Sequence, residues 1–312
     1  MIDDDKFIIE TQSLSRHFGT TQAVESLDLT VREGEIFGLV GPDGAGKTTT
    51  IRLLAGLLNI TSGSATVAGF DLQRQAEAIK PRIGYMAQQF SLYGDLSVEE
   101  NLAFFADIYR VSGEERQQRT ERLLQFAQLT EFKQRRAVHL SGGMQKKLAL
   151  ACTLIHQPQV LLLDEPTTGV DPVSRREFWD ILAELHHDGT TILISTPYMD
   201  EAERCQRVGL LYEGRLMMCD QPRRIREMTA GELVEFHVED WQRTQRILAG
   251  LDGVLEVQTY GNVMRIFLDS ADKRLPSLEA ALRAKKIPYR GLRRKLAGME
   301  EAFVSLIRSV ED

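Results

Sequence analysis

The sequence predicts an α/β fold in two parts: a mixed, mostly parallel sheet with a helical subdomain, then a small α+β ferredoxin-like domain. Three observations carry this expectation. Short apolar runs at 36–40, 160–163 and 190–195 read as buried strands. Helix-patterned stretches separate them, the alternation expected of a largely parallel sheet. Composition then shifts near residue 226, and the patterns beyond it follow the order β-α-β-β-α-β-α. The first domain is therefore placed at residues 1–226, with its helical subdomain at about 90–155, and the second at 227–312.

Each element has a local reason. Residues 6–37 alternate like strands, at Phe7-Ile8-Ile9 and again from Ser26 to Val31. A turn at Glu33-Gly34-Glu35 leads into the apolar run ending at Val40 and Gly41, and helix-like sequence follows from Lys47 to about Leu58. Residues 97–155 read as mostly helical, opened by Ser97 with Glu100 three positions on, a capping box ahead of Leu102, Phe104, Phe105 and Ile108. A charged amphipathic helix is expected at 173–187. Beyond 226 the reading is strand 231–238, helix 240–249, strands 254–260 and 263–268 about Gly261-Asn262, helix 276–285, strand 287–290 and helix 299–309.

Bulk properties exclude several classes. The 312 residues are 43% apolar and 27% charged, an ordinary globular balance. A net charge of −7 argues against a nucleic-acid partner. Cys152, Cys205 and Cys219 have no zinc spacing and no disulfide pattern, so reduced thiols in a cytoplasmic setting are expected. The N-terminus is acidic and lacks the basic and apolar regions of a signal peptide. No run reaches the ~18 apolar residues of a membrane span. The chain is expected to sit beside a membrane at most.

Chemistry concentrates at Gly41-Pro42-Asp43-Gly44-Ala45-Gly46-Lys47-Thr48, which matches G-x-x-x-x-G-K-[ST] between a predicted strand and a predicted helix. Glycines let the backbone turn tightly, so successive N–H groups point at phosphate oxygens, and the helix N-terminus adds favourable dipole charge. Lys47 neutralises terminal phosphates, and the Thr48 hydroxyl, next to Thr49, suits Mg²⁺. ATP with Mg²⁺ is the expected cofactor pair. The strand ending in Leu163-Asp164-Glu165 supplies the partner acids: Asp164 for the Mg²⁺ shell and Glu165 as general base toward water. Ser141-Gly142-Gly143, ahead of a helix expected from Lys146 to Ile155, offers a hydroxyl and two amides to a phosphate.

With these motifs in hand, residues 6–226 resemble an ATP-binding cassette (ABC) ATPase, the nucleotide-binding subunit of an ABC transporter. The resemblance implies a P-loop cassette fold, ATP hydrolysis coupled to transport, and two partners: a transmembrane permease subunit and a second nucleotide-binding cassette. It also implies a place on the inner face of the cell membrane, peripheral and cytoplasmic. By the same resemblance Ser141-Gly142-Gly143 closes over the γ-phosphate of the second cassette. Gln88 matches the glutamine that touches Mg²⁺ and water and couples to the membrane partner. Phe18 matches the aromatic that stacks on adenine. Gly169-Val170-Asp171 resembles the loop that crosses the dimer interface. The plainer alternatives are Phe18 as core and Gln88 as a surface glutamine.

Two departures stand out. The family places a histidine that contacts the γ-phosphate after strand 190–195, and Pro197 occupies that position here. Proline has no side-chain donor and no N–H. None of the six histidines is an obvious replacement. Asp43 stands where asparagine is usual and puts an acid near the phosphates unless it points away. An asymmetric cassette pair with a slow own site is one expectation, and a non-hydrolysing regulatory subunit is another. A soluble relative acting on ribosomes or DNA is disfavoured by the single cassette and the absence of sustained heptads.

The segment from Phe90 to Ser97, the run Ser-Gly-Gly-Met-Gln and the tail from Gly298 to Phe303 resemble the drug-export and antibiotic-resistance branch, so a hydrophobic or drug-like cargo is implied by analogy. Arg283, Lys285, Lys286, Arg290, Arg293, Arg294 and Lys295 form a basic cluster that either meets anionic lipid or a partner, or is a solvated face with nearby acids.

Overall fold

The computed structural model describes residues 6–89, 92–228 and 231–311. Phe90 and Ser91, at the head of the export-branch segment, lie outside the described residues, as does the acidic N-terminus. The chain divides into two compact units, one ending at Gln221 and one starting at Pro222.

Among the described residues the first unit contains ten strands: β1 (Phe7–Phe18), β2 (Thr21–Arg32), β3 (Ile36–Val40), β4 (Ser62–Val67), β5 (Phe70–Asp71), β6 (Ile83–Met86), β7 (Val160–Asp164), β8 (Thr191–Thr196), β9 (Arg207–Tyr212) and β10 (Arg215–Asp220). Its helices are α1 (Lys47–Leu54), α2 (Ala76–Ile79), α3 (Val98–Ile108), α4 (Gly113–Phe126), α5 (Gly142–Leu154), α6 (Pro172–His187) and α7 (Met199–Ala202). One sheet runs β10-β9-β3-β8-β7-β6, parallel except for β10. A second sheet, β2-β1-β4-β5, is antiparallel.

Every residue of β3, β7 and β8 is buried, which is why these strands read as unbroken apolar runs. The helix α1 lies between the sheets, touching β7 and β8 on one side and β2 on the other. Its Ile51, Leu53 and Leu54 join Ile9, Leu14 and Leu29 of the outer sheet to Phe37, Leu162 and Leu193 of the inner one in a single core. The ends of β3, β7 and β8 therefore converge beside the start of α1. The helical subdomain packs Leu102, Leu124 and Leu148 of α3, α4 and α5 together. Its predicted capping box is present: the Ser97 hydroxyl accepts the Glu100 N–H at 3.2 Å, and Glu100 accepts the Ser97 N–H at 2.7 Å.

The second unit holds α8 (Pro222–Glu227), β11 (Glu232–Val238), α9 (Trp241–Leu248), β12 (Val254–Tyr260), β13 (Val263–Leu268), α10 (Ala271–Ala284), β14 (Tyr289–Lys295) and α11 (Met299–Glu311). The antiparallel order β12-β13-β11-β14 is that of a ferredoxin-like sheet. Val234, Phe236, Met264 and Ile266 meet Leu248, Leu278 and Leu282 of the two crossover helices.

Several boundaries move from expectation. The division falls at 221/222 rather than 226/227, because α8 packs on α11 within the second unit. The first helix stops at Leu54, short of 58, with Gly56 at φ 70° just beyond it. The helix expected from 276 starts at Ala271, whose N–H is taken by the Glu232 carboxylate, so Pro276 falls inside it. The last strand runs on to Lys295 rather than stopping at 290. Its side chains are mostly cationic and exposed, so no apolar alternation marks it. Those cations are largely paired: Arg293 and Lys295 with Glu235, and Arg294 with Asp272; on α10, Arg283 of the same basic cluster pairs with Glu279. The Glu235 carboxyl is held down to about 2, first by the hydrogen bond from Arg293, against its own burial.

One buried hydroxyl holds the irregular β1–β2 pairing. Thr11 donates to the Leu27 carbonyl at 2.7 Å and accepts the Leu29 N–H at 2.8 Å, where the register shifts beyond Thr11. Replacing Thr11→Val keeps the shape and strands both backbone groups, so urea denaturation is expected to show a loss of about 1–3 kcal/mol. Thr11→Ser, which keeps the hydroxyl, is expected to lose less.

Candidate nucleotide site

The loop 41–46 bends in ways only glycine tolerates at two points. Gly46 sits at φ 99°, and a Cβ there would stand 2.4 Å from the Ala23 carbonyl oxygen. A Cβ on Gly41 would stand 2.2 Å from the Leu211 oxygen. Ala45 is buried, whereas Asp43 and Gly44 are exposed at the tip. Asp43 therefore projects to solvent, away from the buried lysine.

Lys47, at the first position of α1, is buried to 3% exposure. Its ammonium donates to the Gly41 and Pro42 carbonyls at 2.8 and 2.9 Å and pairs with Glu165 at 3.2 Å. Three donors thus meet three acceptors. Beside it the Thr48 hydroxyl donates to Asp164 Oδ1 at 2.9 Å. Ser195 donates to the same oxygen at 2.9 Å and accepts the Glu165 N–H at 3.0 Å. The parallel register explains this, since Asp164 on β7 stands opposite Ser195 on β8. Glu165 follows at φ 45°, a conformation that costs a non-glycine residue free energy and turns its side chain toward Lys47. Gln88, exposed just beyond β6, donates its amide to Glu165 Oε2 at 3.0 Å, and Thr168 donates to that oxygen at 3.3 Å.

Burial pushes the Asp164 carboxyl above its ordinary value. The hydrogen bonds from Ser195 and Thr48 oppose this, and the Glu165 charge adds to it. Its second oxygen, Oδ2, is buried with no hydrogen-bond partner among the described residues. A buried, unpaired carboxylate oxygen beside a threonine hydroxyl is the oxygen donor set that suits a hard divalent cation.

The remaining expected residues lie outside this hydrogen-bonded cluster. Ser141 N-caps α5, accepting the Met144 N–H at 3.3 Å, so that helix begins at Gly142 and not at Lys146. Gly142 is open, while a Cβ on Gly143 would meet the Ser174 hydroxyl at 2.4 Å. Asp171 caps α6 through the Val173 and Ser174 N–H groups, both at 3.0 Å. Phe18 is 44% exposed with the Arg16 guanidinium 4.5 Å over its ring, which removes the reading of Phe18 as core. Pro197 follows β8, and Thr196 beside it donates to the buried Glu201 at 2.6 Å. Glu201 also accepts from Thr167 at 2.8 Å.

Three participants are not singled out by the sequence: Ser195, Thr168, and Lys146, which donates to the Gln88 carbonyl at 2.8 Å. Ser195 is detectable in principle as a hydroxyl ending the strand next to the acid pair. The other two depend on loop paths that no local pattern reports.

A strand end, a phosphate-type loop and a paired acid strand arranged in this way define a P-loop nucleotide-binding domain. Comparison with known proteins narrows this. Residues 24–168 match the ABC transporter family. The chain is 36% identical over 245 residues to the daunorubicin resistance ATP-binding protein DrrA2 of Streptomyces coeruleorubidus, covering 78% of this chain and 76% of that protein. It is 44% identical over 288 residues to the probable multidrug ABC transporter ATP-binding protein YbhF of Escherichia coli (strain K12). That match covers 91% of this chain and 49% of YbhF, so the chain spans about half the length of that relative. A dimeric, post-hydrolysis ATP-binding cassette solved with ADP and Pi superposes with a TM-score of 0.62 at 27% identity, covering 68% of this chain and 98% of that one. The chain belongs to the ABC transporter family of ATP-binding proteins.

Because the folded state holds the Asp164 proton more tightly than the unfolded chain does, its ionisation costs stability as pH rises. Asp164→Asn keeps the Oδ1 acceptor and removes that charge. The nucleotide-free variant is expected to melt higher than the parent near neutral pH. The gap should close as pH falls below the ordinary carboxylate value of 3.8, where the carboxyl becomes protonated in both states. Differential scanning fluorimetry across pH checks both the sign and the closure.

Proposed function

We infer that this chain binds ATP with Mg²⁺ and energises export of hydrophobic or drug-like molecules through a separate membrane subunit, paired with a second cassette. The observation that carries the reading is the set of contacts of 2.9–3.2 Å that pairs Thr48 with Asp164, and Lys47 and Gln88 with the adjoining Glu165. No helix among the described residues is long and apolar enough to cross a membrane, and the resemblance to ABC transporter subunits assigns the translocation path to a separate membrane subunit. The cargo class follows the roles named for DrrA2 and YbhF.

In this reading the amides of loop 41–49 and Lys47 hold the phosphates, and phosphate oxygens compete with Glu165 for the lysine. Thr48 and Asp164, with Gln88 nearby, would hold Mg²⁺, which would supply positive charge against the phosphates. Released from Lys47, Glu165 polarises a water, and the Gln88 amide aims its carboxylate. Phe18 offers its open face to adenine. Ser141, Gly142, Gly143 and Asp171 serve the second cassette. Such a subunit works at the inner face of the cell membrane.

Pro197 supplies no donor to the γ-phosphate, so hydrolysis at this chain's own site is slow. The same feature favours a second reading, a regulatory cassette that binds without turnover. Single-turnover hydrolysis with and without a partner cassette separates the two. Lys47→Ala is expected to abolish MgATP affinity measured by equilibrium binding, and unchanged affinity would sink the nucleotide reading. Pro197→His is expected to raise the single-turnover rate by about tenfold or more, since one charge-stabilising donor is worth about 10²–10³ in a preorganised site.

A further inference from the structure

We propose that Lys146 is a positioning residue for hydrolysis: bonded to the Gln88 carbonyl, it fixes the loop that aims the Gln88 amide at Glu165. The inference rests on the hydrolytic reading given above, but the contact it names stands on geometry alone. Lys146 lies on α5, one turn beyond the Ser141 cap, and is only partly exposed. Its ammonium donates to the Gln88 carbonyl oxygen at 2.8 Å. The side chain of the same glutamine donates to Glu165 Oε2 at 3.0 Å, and Glu165 Oε1 pairs with Lys47 at 3.2 Å. One continuous line of polar contacts therefore runs from the helical subdomain to the phosphate lysine.

Gln88 itself is exposed, and it follows the last residue of β6 by two positions. An exposed residue beyond a strand end has no packing to fix its backbone, and a surface glutamine without an anchor samples several rotamers at little cost. Lys146 supplies the anchor from another element. Holding an ammonium half out of water is unfavourable, and burial indeed lowers its pKa, while the charges of Asp164 and Glu165 act the other way. Both acids thus lie within electrostatic reach of a second cation besides Lys47. That cation comes from the helix capped by Ser141. Any rotation of α5 would move the Gln88 carbonyl and with it the reach of the amide toward Glu165. Lys147, the next residue, points elsewhere. It is buried and pairs with Glu177 of α6 at 2.6 Å and with Gln128 at 3.2 Å. Of the two adjacent lysines, one braces the helical packing and the other reaches the site.

The test uses the full chain and compares Lys146→Met, which keeps the stem, with Lys146→Arg, which keeps the cation. Amide exchange of residues 85–89 without nucleotide is expected to speed up by about tenfold in the methionine variant and to stay near the parent rate in the arginine variant. With MgATP, the methionine variant should bind as tightly as the parent yet turn over on the order of 10–100-fold more slowly in a single turnover, the loss typical of a small misplacement. Unchanged exchange in Lys146→Met overturns the proposal. So does a rate loss matched by an equal loss of affinity, which would mark a merely structural residue. A parent chain that fails to bind MgATP would instead overturn the nucleotide reading, and the exchange result would still decide the role of Lys146.

Discussion

The shared Asp164 oxygen is the constraint on which the site depends. One carboxylate oxygen accepts from Thr48 at the head of α1 and from Ser195 at the end of β8. A helix and two neighbouring strands are thereby tied at a single buried point. The same serine accepts the Glu165 N–H, so the proposed general base is placed by the residue that steadies the acid before it. An ionised group buried at this point costs stability unless it is paired and hydrogen-bonded. The protein meets part of that cost with two hydroxyls and leaves one oxygen without a partner. That oxygen is the one on which the proposed Mg²⁺ would bind.

That arrangement needs the sheet beneath it. Parallel pairing sets β3, β7 and β8 in step, so the loop after β3 and the acids after β7 emerge side by side. The sandwiching of α1 between two sheets fixes Lys47 in depth as well as direction. Glu165 in a left-handed backbone conformation is the local consequence: the chain must turn sharply after β7 to keep its carboxylate near Lys47.

Much of this is legible in the residues. The buried strands announce themselves because burial on both faces forces unbroken apolar runs, as in Val160 to Leu163. The phosphate loop is legible because its chemistry needs glycine, lysine and threonine at fixed spacing. The ferredoxin-like order is readable from periodicity alone. What stays hidden is set by tertiary partners. Ser195 matters only because β8 lies next to β7 in register, and Lys146 only because α5 passes the loop after β6. The extension of β14 is masked by its cations, whose acidic partners Glu235 and Asp272 sit 22 to 60 positions away. The helix before it begins earlier than its pattern suggests, because Pro276 reads as a start while the true start depends on a carboxylate from β11.

Those cations on β14 carry one more implication. The strand pairs only with β11 among the described residues, so its outer row of backbone groups faces no strand of its own unit. A bare edge invites another polypeptide to add itself as the next rung. Here the approaching chain would have to settle against Arg290, Arg293, Arg294 and Lys295 in close succession, and Gly291 at φ 69° breaks the flat line of the edge. Positive charge in close succession disfavours the addition of a further strand there, in a cluster whose sequence reading included a solvated face with nearby acids.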